Sequence, residues 1–373
     1  MRVTVLAPHG AWWMARRLAA EGQTVRLWAP GGRGKGFVPT VATPVVADET
    51  ELVVSDGPVA ALLGARRRGI PTLGGGIEDS WWRTLRPEGW QSFSTRPVAE
   101  AFFATHPGDW RLNDRVVTAS YGQRVAAHLP PPLVVWRATE QCRVGGLFTG
   151  KEFARPFFGS VGDHAQVSWV FRDDDPPIAQ RTLGRLAVRL RAEQYHGPVT
   201  VTVTTHPIAV VGVSTTWPAS WSAFLDPPLG PLLEALARGK MDRLPVRRDL
   251  VATMPALVDE PAGFPLPADV TRGAVVLERV ADDGGPRVVA GSGAVVTLVA
   301  TGRTLAGVQD GITRWADRCG VFPMAPLADP QPTWKELGAA PWMTMTGRRS
   351  GKDSDADTSP STPAPAVTSV EDV

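Results

Sequence analysis

Short apolar runs alternate with helical spacings from the start of the chain. Residues 3–7 (Val-Thr-Val-Leu-Ala) read as a buried strand, Pro8-His9-Gly10 as a turn, and residues 11–21 as a helix stopping near Gly22. A second strand follows at 24–28. The unit then repeats, with a strand at 51–55, a helix at 58–68 closing in Arg66-Arg67-Arg68-Gly69, and a strand at 70–73 running into Gly74-Gly75-Gly76. Strands and helices alternating at this spacing predict a parallel sheet with ligands at the carboxyl ends of its strands. Residues 1–80 are therefore expected to form a Rossmann-like N-terminal domain.

Residues 81–132 are rich in tryptophan, lack a clear period and read as an unassigned linker or lid remnant. From 133 to 265 the pattern returns. A strand at 133–137 precedes alternation at 142–148 and 152–158 about Gly150, which predicts an antiparallel pair. Residues 178–194 carry helical spacing, with Leu183, Leu186, Val188 and Leu190 on an apolar side and Arg181, Arg185, Arg189 and Arg191 facing water. Strands at 199–204 and 208–214 and a helix at 229–238 complete this region. Residues 266–346 read as a small C-terminal β-rich module, with strands at 272–280 and 294–300 and a helix at 304–318. The tail from 347 to 373 holds too few large apolar side chains to offset its ordering entropy and is predicted to be disordered. The fold class is thus mixed, α/β at the N-terminus and α+β beyond it.

Composition narrows the function classes. The 373 residues are 43% apolar, enough for two or three cores. The 39 Lys and Arg against 37 Asp and Glu leave a net charge of +2, so no global attraction to nucleic acid or to an anionic membrane follows. Cys142 and Cys319 lack metal or redox spacing, so no zinc site or disulfide framework is expected. No run reaches the roughly 18 apolar residues of a membrane span. The first residues are a strand pattern, not a leader, which predicts a cytoplasmic protein with no membrane partner.

The candidate ligand-binding residues lie at strand ends. Pro8-His9-Gly10 precedes a helix whose first amides suit an anion, so His9 and Gly10 form either a ligand turn or a plain tight turn. Gly74, Gly75 and Gly76 permit close backbone approach and positive φ, either for a ligand or for packing. Gly31-Gly-Arg-Gly-Lys-Gly36 lacks the Ser or Thr that follows Gly-Lys in a phosphate loop, and reads as a flexible basic loop. No acid ends the second strand at Leu27-Trp28-Ala29, which argues against a nicotinamide cofactor. Asp173-Asp-Asp175 reads as a solvated turn, and Asp282-Asp283-Gly284-Gly285 as a hairpin loop. The 14 tryptophans are not interleaved with a basic groove and read as core anchors.

The order of these pieces resembles the glycinamide ribonucleotide synthetase (phosphoribosylamine–glycine ligase) family of ATP-grasp enzymes, including its divergent phage-borne members. The likeness rests on Val3-Thr-Val-Leu-Ala, on Arg-Gly69-Ile-Pro-Thr-Leu-Gly-Gly75, and on Gly146-Leu-Phe-Thr-Gly150-Lys-Glu-Phe-Ala-Arg-Pro156. Gln194-Tyr-His-Gly-Pro198 and Gly293-Ala-Val-Val-Thr-Leu-Val-Ala-Thr-Gly302 extend it to about residue 330. The resemblance implies an ATP-grasp middle domain, ATP and Mg²⁺ as cofactors, and ligation of a carboxylate to an amine through an acyl phosphate. It also implies a glycine-rich lid over the nucleotide. The chain departs from the family where it matters most. Where the family places a metal-binding strand patterned Glu-x-Asn-x-Arg-x-Gly-Asp, residues 211–221 contain no carboxylate, so no metal ligand is assigned and ATP with Mg²⁺ is placed in doubt. Only about fifty residues separate the N-terminal domain from the strand at 133, so the middle domain reads as truncated. A family Lys-Arg pair falls near His164.

Three functions follow. One is a degenerate ATP-grasp protein holding a small molecule, a nucleotide or a protein partner. Another is an active ATP-dependent carboxylate–amine ligase in which Glu140, Glu152 or Asp226 takes over the metal. The third is a phage structural or assembly protein, for which exposed tryptophans and the tail would supply the contact surface.

Overall fold

The computed structural model describes residues 1–8, 12–57, 60–75, 91–107, 109–112, 115–126, 133–137, 141–162, 165–204, 209–225, 228–259, 262–271, 275–290 and 294–330. His9, Gly10, Gly76, Glu140, His164, Asp226 and the predicted disordered tail lie outside the described residues.

The N-terminal alternation builds β1 (Arg2–Leu6), α1 (Trp13–Ala20), β2 (Thr24–Trp28), β3 (Leu52–Ser55), α2 (Ala60–Arg67) and β4 (Thr72–Leu73). The four strands form a parallel sheet in the order β2-β1-β3-β4. Both faces are covered. Val3, Val5 and Val54 join the main core, while Leu6 and Val53 pack with Leu62 and Ala65 of α2. Burial on two sides explains why these strands read as continuous apolar runs.

Regular elements appear in the described part of the stretch without a legible period. It contains β5 (Gln91–Phe93), α3 (Arg96–Thr105), β6 (Asp109–Leu112), β7 (Arg115–Thr118), α4 (Ala119–Ala126) and β8 (Leu133–Arg137), with an antiparallel sheet of order β5-β8-β6-β7. Phe93, Phe102, Phe103, Trp110 and Leu133 form its own core. Aromatic bulk replaces strand length here: Phe102 lies 4.8 Å from Trp110 in an edge-on contact. The described residues from 91 to 137 thus form an α/β unit with a core of its own. Only two glycines, Gly108 and Gly122, fall between residues 91 and 137, and Gly122 faces the Phe103 ring.

All the remaining strands but two belong to one large sheet. They are β9 (Gln141–Phe148), β10 (Phe153–Val161), β11 (Gln166–Val170), β12 (Gly197–Thr204), β13 (Ala209–Ser214), β14 (Leu250–Leu257), β15 (Val275–Leu277) and β18 (Val296–Gly302), ordered β13-β12-β9-β10-β11-β14-β18-β15, with β19 (Phe322–Pro323) paired to β14. Strands from the predicted middle and C-terminal regions thus share one ladder. β16 (Val280–Asp282) and β17 (Pro286–Val288) form a separate hairpin closed by Asp283-Gly284-Gly285, as the turn residues predict.

Helices α5 (Pro177–Arg181), α6 (Leu183–Ala192), α7 (Trp221–Phe224), α8 (Leu229–Ala237) and α9 (Leu305–Cys319) cover the sheet. The single helix expected over 178–194 is two, broken at Thr182, whose hydroxyl donates to the Ile178 carbonyl at 2.7 Å. Val188 also departs from its expected place. It is 71% exposed, because two residues turn it about 200° from Leu186, which is buried. α9 starts at an N-cap, with Thr304 Oγ1 accepting from the Gly307 amide, and ends at Gly320 in the left-handed region. Among the described residues no helix is long and apolar enough to cross a membrane.

Candidate functional site

Directly opposed residues on antiparallel strands share a face of the sheet. Across the large sheet one row runs Ser214, Thr200, Gly145, Phe158, and the next runs Arg143, Ser160, Ser168. These rows floor a cavity of about 240 Å³. The chain after β13 supplies one wall through Thr216, Pro218, Ser220 and Trp221, and Gln166, Thr253, Pro255 and Thr297 close the other side.

The lining is hydroxyl-rich and almost uncharged. Eight Ser and Thr residues line it, Arg143 is the one charged residue, and neither Asp nor Glu is present. Arg143 Nη1 donates to the Gly162 carbonyl, and Ser214 Oγ lies 2.8 Å from Thr216 Oγ1. Ser168 Oγ and Thr200 Oγ1 are buried with no hydrogen-bond partner. Leaving a buried hydroxyl unpaired costs about 1–3 kcal/mol, so two of them in one cavity floor are groups that a ligand or water would satisfy.

A carboxyl group sits just behind this lining. Thr297 Oγ1 donates to Glu278 Oε1 at 2.9 Å. Burial pushes the Glu278 carboxyl up to about 7, while the Thr297 hydroxyl and Arg33 pull it down and Asp56 pushes it further up. Its backbone carbonyl accepts from Trp12 Nε1 at 3.2 Å. Glu278 therefore ties the start of the N-terminal unit to the edge of the large sheet. No motif marked it in the sequence. The hydroxyl rows did leave a trace, in the alternation of Val199, Val201 and Val203 with Thr200, Thr202 and Thr204.

Gly74 and Gly75 lie where the two sheets meet. The Gly74 amide donates to the His196 carbonyl at 2.7 Å, and the Trp217 indole donates to the Ser55 carbonyl at 3.2 Å beside it. Gly74 has φ +71°, and a Cβ there would collide with the Ser55 carbonyl oxygen. Protein atoms thus fill the space around both glycines, and neither lines the hydroxyl cavity. The Gly31–Gly36 loop is likewise packed: the Gly34 amide bonds the Val280 carbonyl, the Lys35 carbonyl accepts from Asp282, and a Cβ on Gly36 would strike the Asp282 backbone. It is a docking loop for the β16–β17 hairpin. Glu152 is exposed on the β9–β10 turn and does not line the cavity.

The architecture matches known enzymes along its length. The phosphoribosylamine–glycine ligase of Thermotoga maritima is similar with a TM-score of 0.61 and 14% identity, over 87% of this chain and 98% of that one. The chain has the ATP-grasp fold. An N5-carboxyaminoimidazole ribonucleotide synthetase from Thermus thermophilus (TM-score 0.55, 12% identity, 87% and 100% covered) and an L-amino acid ligase from Bacillus licheniformis (0.53, 10%, 87% and 98%) share it. No family model matches the sequence, and neither does any curated protein. At these identities the likeness is one of fold.

ATP-grasp proteins generally use ATP and Mg²⁺. Mg²⁺ takes near-octahedral hard oxygen ligands and is held to proteins by one or two carboxylates. Residues 214–221 present hydroxyls, Pro218 and indoles to the junction, with Trp221 lining the cavity and Trp217 turned to the N-terminal sheet. No cluster of three or more His, Cys, Asp or Glu occurs among the described residues. The cavity does not fit a metal-bridged triphosphate.

Proposed function

We propose that this ATP-grasp chain is a degenerate relative of the carboxylate–amine ligases that binds a small polar ligand in the hydroxyl cavity without Mg-ATP chemistry. One observation carries the reading: a cavity floored by the large sheet and lined by eight hydroxyls and no carboxylate, two of those hydroxyls being buried and unpaired. Hydroxyls donate to and accept from a polar ligand, but they do not neutralise the charge of a transferring phosphoryl group as a metal held by carboxylates does. Two buried, unbridged thiols, Cys142 and Cys319, agree with a reducing cytoplasm. Every tryptophan whose side chain is described is buried or half-buried, so none of these supports the assembly-protein reading.

The test is a thermal-unfolding series with millimolar ATP, with and without Mg²⁺. A ligand binding only the folded state raises stability by RT ln(1 + [L]/Kd), about 2.7 kcal/mol at a hundredfold excess over Kd, or several degrees. No metal-dependent shift is expected. A rise of several degrees seen only with Mg²⁺ would overturn the proposal and favour an active ligase whose metal is held by acids elsewhere in the chain.

A further inference from the structure

The lining of the hydroxyl cavity disfavours charged ligands of either sign. Neither Asp nor Glu lines it, so an ammonium group or a divalent cation would enter without a counter-charge. Arg143 is the one charged lining residue, and its guanidinium is already engaged at the Gly162 carbonyl, so it is not held ready for a phosphate or a carboxylate. Neutral ligands remain, and size narrows them. The cavity of about 240 Å³ has room for roughly eight water molecules at their liquid volume. It falls below the roughly 300 Å³ at which drug-sized sites begin, so a nucleotide is too large and a single ring is the better match.

The polar groups are of an adaptable kind. Each Ser or Thr hydroxyl donates one proton and accepts at two lone pairs, and it rotates to suit its partner. Thr297 sends its proton to Glu278 Oε1 and so turns lone pairs to the cavity, whereas Ser214 Oγ and Thr216 Oγ1 satisfy each other at 2.8 Å. Ser168 Oγ and Thr200 Oγ1, buried without partners, have protons to give. The Gln166 amide adds a donor and an acceptor at the side. A ligand carrying several hydroxyls matches such a set.

The floor also keeps a place for a ring. Gly145 stands between Thr200 and Phe158 in its row, and its φ lies outside the left-handed region, so the backbone does not require glycine there. Glycine weakens a strand interior and often marks a position that a ligand or another chain segment approaches closely. A Cβ on Gly145 would find Thr200 Oγ1 at 3.2 Å and Trp221 Cζ2 at 3.5 Å as its nearest atoms. The rings of Trp221 and Phe158, 5.0 Å apart, and Pro218 form an apolar wall beside this opening. Aromatic faces carry partial negative charge and suit the carbon-bound hydrogens of a sugar ring.

We propose that the hydroxyl cavity binds a neutral one-ring sugar or cyclic polyol, its hydroxyls bonded to Ser168, Thr200 and Gln166 and its C–H face over Gly145 against Trp221. This assignment rests on the reading of the cavity as a polar-ligand site without Mg-ATP chemistry, and adds the class of ligand.

Calorimetric titration of the full chain in metal-free buffer tests it with D-ribose, D-glucose and myo-inositol, and with glycine, acetate and uracil as comparison probes. At least one of the three polyols is expected to saturate at one per chain, at least tenfold tighter than any comparison probe. The double variant Ser168→Ala with Thr200→Val, which keeps side-chain shape, should weaken that polyol at least tenfold, and Gly145→Ala, which puts a methyl group in the place of the ring, should do the same. Val188→Ser, at an exposed position of α6, should leave binding unchanged. The proposal is overturned if none of the polyols saturates, if a comparison probe binds as tightly, or if the double variant keeps full affinity. A comparison probe that binds and is lost in the double variant would overturn the sugar assignment and keep the polar-ligand reading, whereas a thermal shift with ATP seen only with Mg²⁺ would overturn both.

Discussion

The two faces of strands β9–β12 are made from alternate residues of the same segments, yet they differ in almost every property. On one face Val201, Val144 and Trp169 stand in register, with Val203, Cys142, Val161 and Val167 in the next row, and the valines and Cys142 of β9 and β12 pack beneath Ile178, Leu183, Leu186 and Leu190 of α5 and α6. On the other, Thr200, Arg143, Ser160 and Ser168 occupy the positions between. The apolar face gains from burial at roughly 25 cal/mol per Å² removed from water. The polar face gains nothing comparable and leaves hydroxyls unpaired. A sheet built for stability alone would gain more from apolar side chains there, and this contrast supports the proposal that the polar face binds a ligand.

The largest expected effect comes from making the first face resemble the second. Val201→Asp puts a carboxylate among buried aliphatic groups, and should destabilise by about 4 kcal/mol or more, or prevent folding. Urea denaturation measures this directly; a change below 1 kcal/mol would mean that the face is not a packed core. Next is Trp221→Ala, at the cavity wall. Trp221 is 2% exposed, with its ring 5.0 Å from Phe158 and 6.0 Å from Trp217. Its loss should destabilise by about 3–5 kcal/mol, which would show that the polar face borrows its rigidity from aromatic packing at the rim.

The sequence carries the apolar face more plainly than the polar one. Alternating valines on β12, the spacing of Leu183, Leu186 and Leu190, and the caps of α9 are local patterns, legible because their physical cause lies within a few residues. The ordered unit of 91–137 was not legible, since its core is made by Phe93, Phe102, Phe103 and Trp110 on elements too short to show a period. Gly74 and Gly75 show a different limit. Their positive φ is predictable from residue type, but whether protein or ligand fills the adjoining space depends on Trp217, more than 140 residues away. Glu278 was invisible for the same reason, because its environment is assembled by Thr297, Arg33 and Asp56.

Glu278 also gives the polar side a pH signature that the apolar side lacks. Its carboxyl titrates near 7 in the folded chain against 4.5 when exposed. Between those values the folded state holds a proton that the unfolded state has lost, so this contribution is fully present below about pH 4.5 and disappears as the pH rises through 7. Glu278→Gln should remove that slope and leave the variant more stable than the parent at pH 8, by at most about 3 kcal/mol. Denaturation midpoints of both proteins from pH 5 to 8 measure the difference, and parallel curves would show that Glu278 is ionised in the fold. His196 acts in the opposite direction at the acid end. Burial lowers its pKa, so stability falls as the unfolded state takes up a proton below about 6.5.

The smallest effect is the sharpest test of the contrast, because it compares two hydroxyls of similar burial. Thr182 is 2% exposed and donates to the Ile178 carbonyl, whereas Ser168 is also 2% exposed and has no partner. Thr182→Val should destabilise by about 1 kcal/mol, since a made hydrogen bond is lost. Ser168→Ala should stay within about 0.5 kcal/mol of the parent or exceed it, because it removes only an unsatisfied group. Equal losses in the two variants would mean that the Ser168 hydroxyl is already bonded in solution, and the case for a ligand waiting to satisfy it would fail. A neutral or stabilising Ser168→Ala, by contrast, identifies a hydroxyl held against the interest of stability. Such a group is available to the ligand proposed for this cavity.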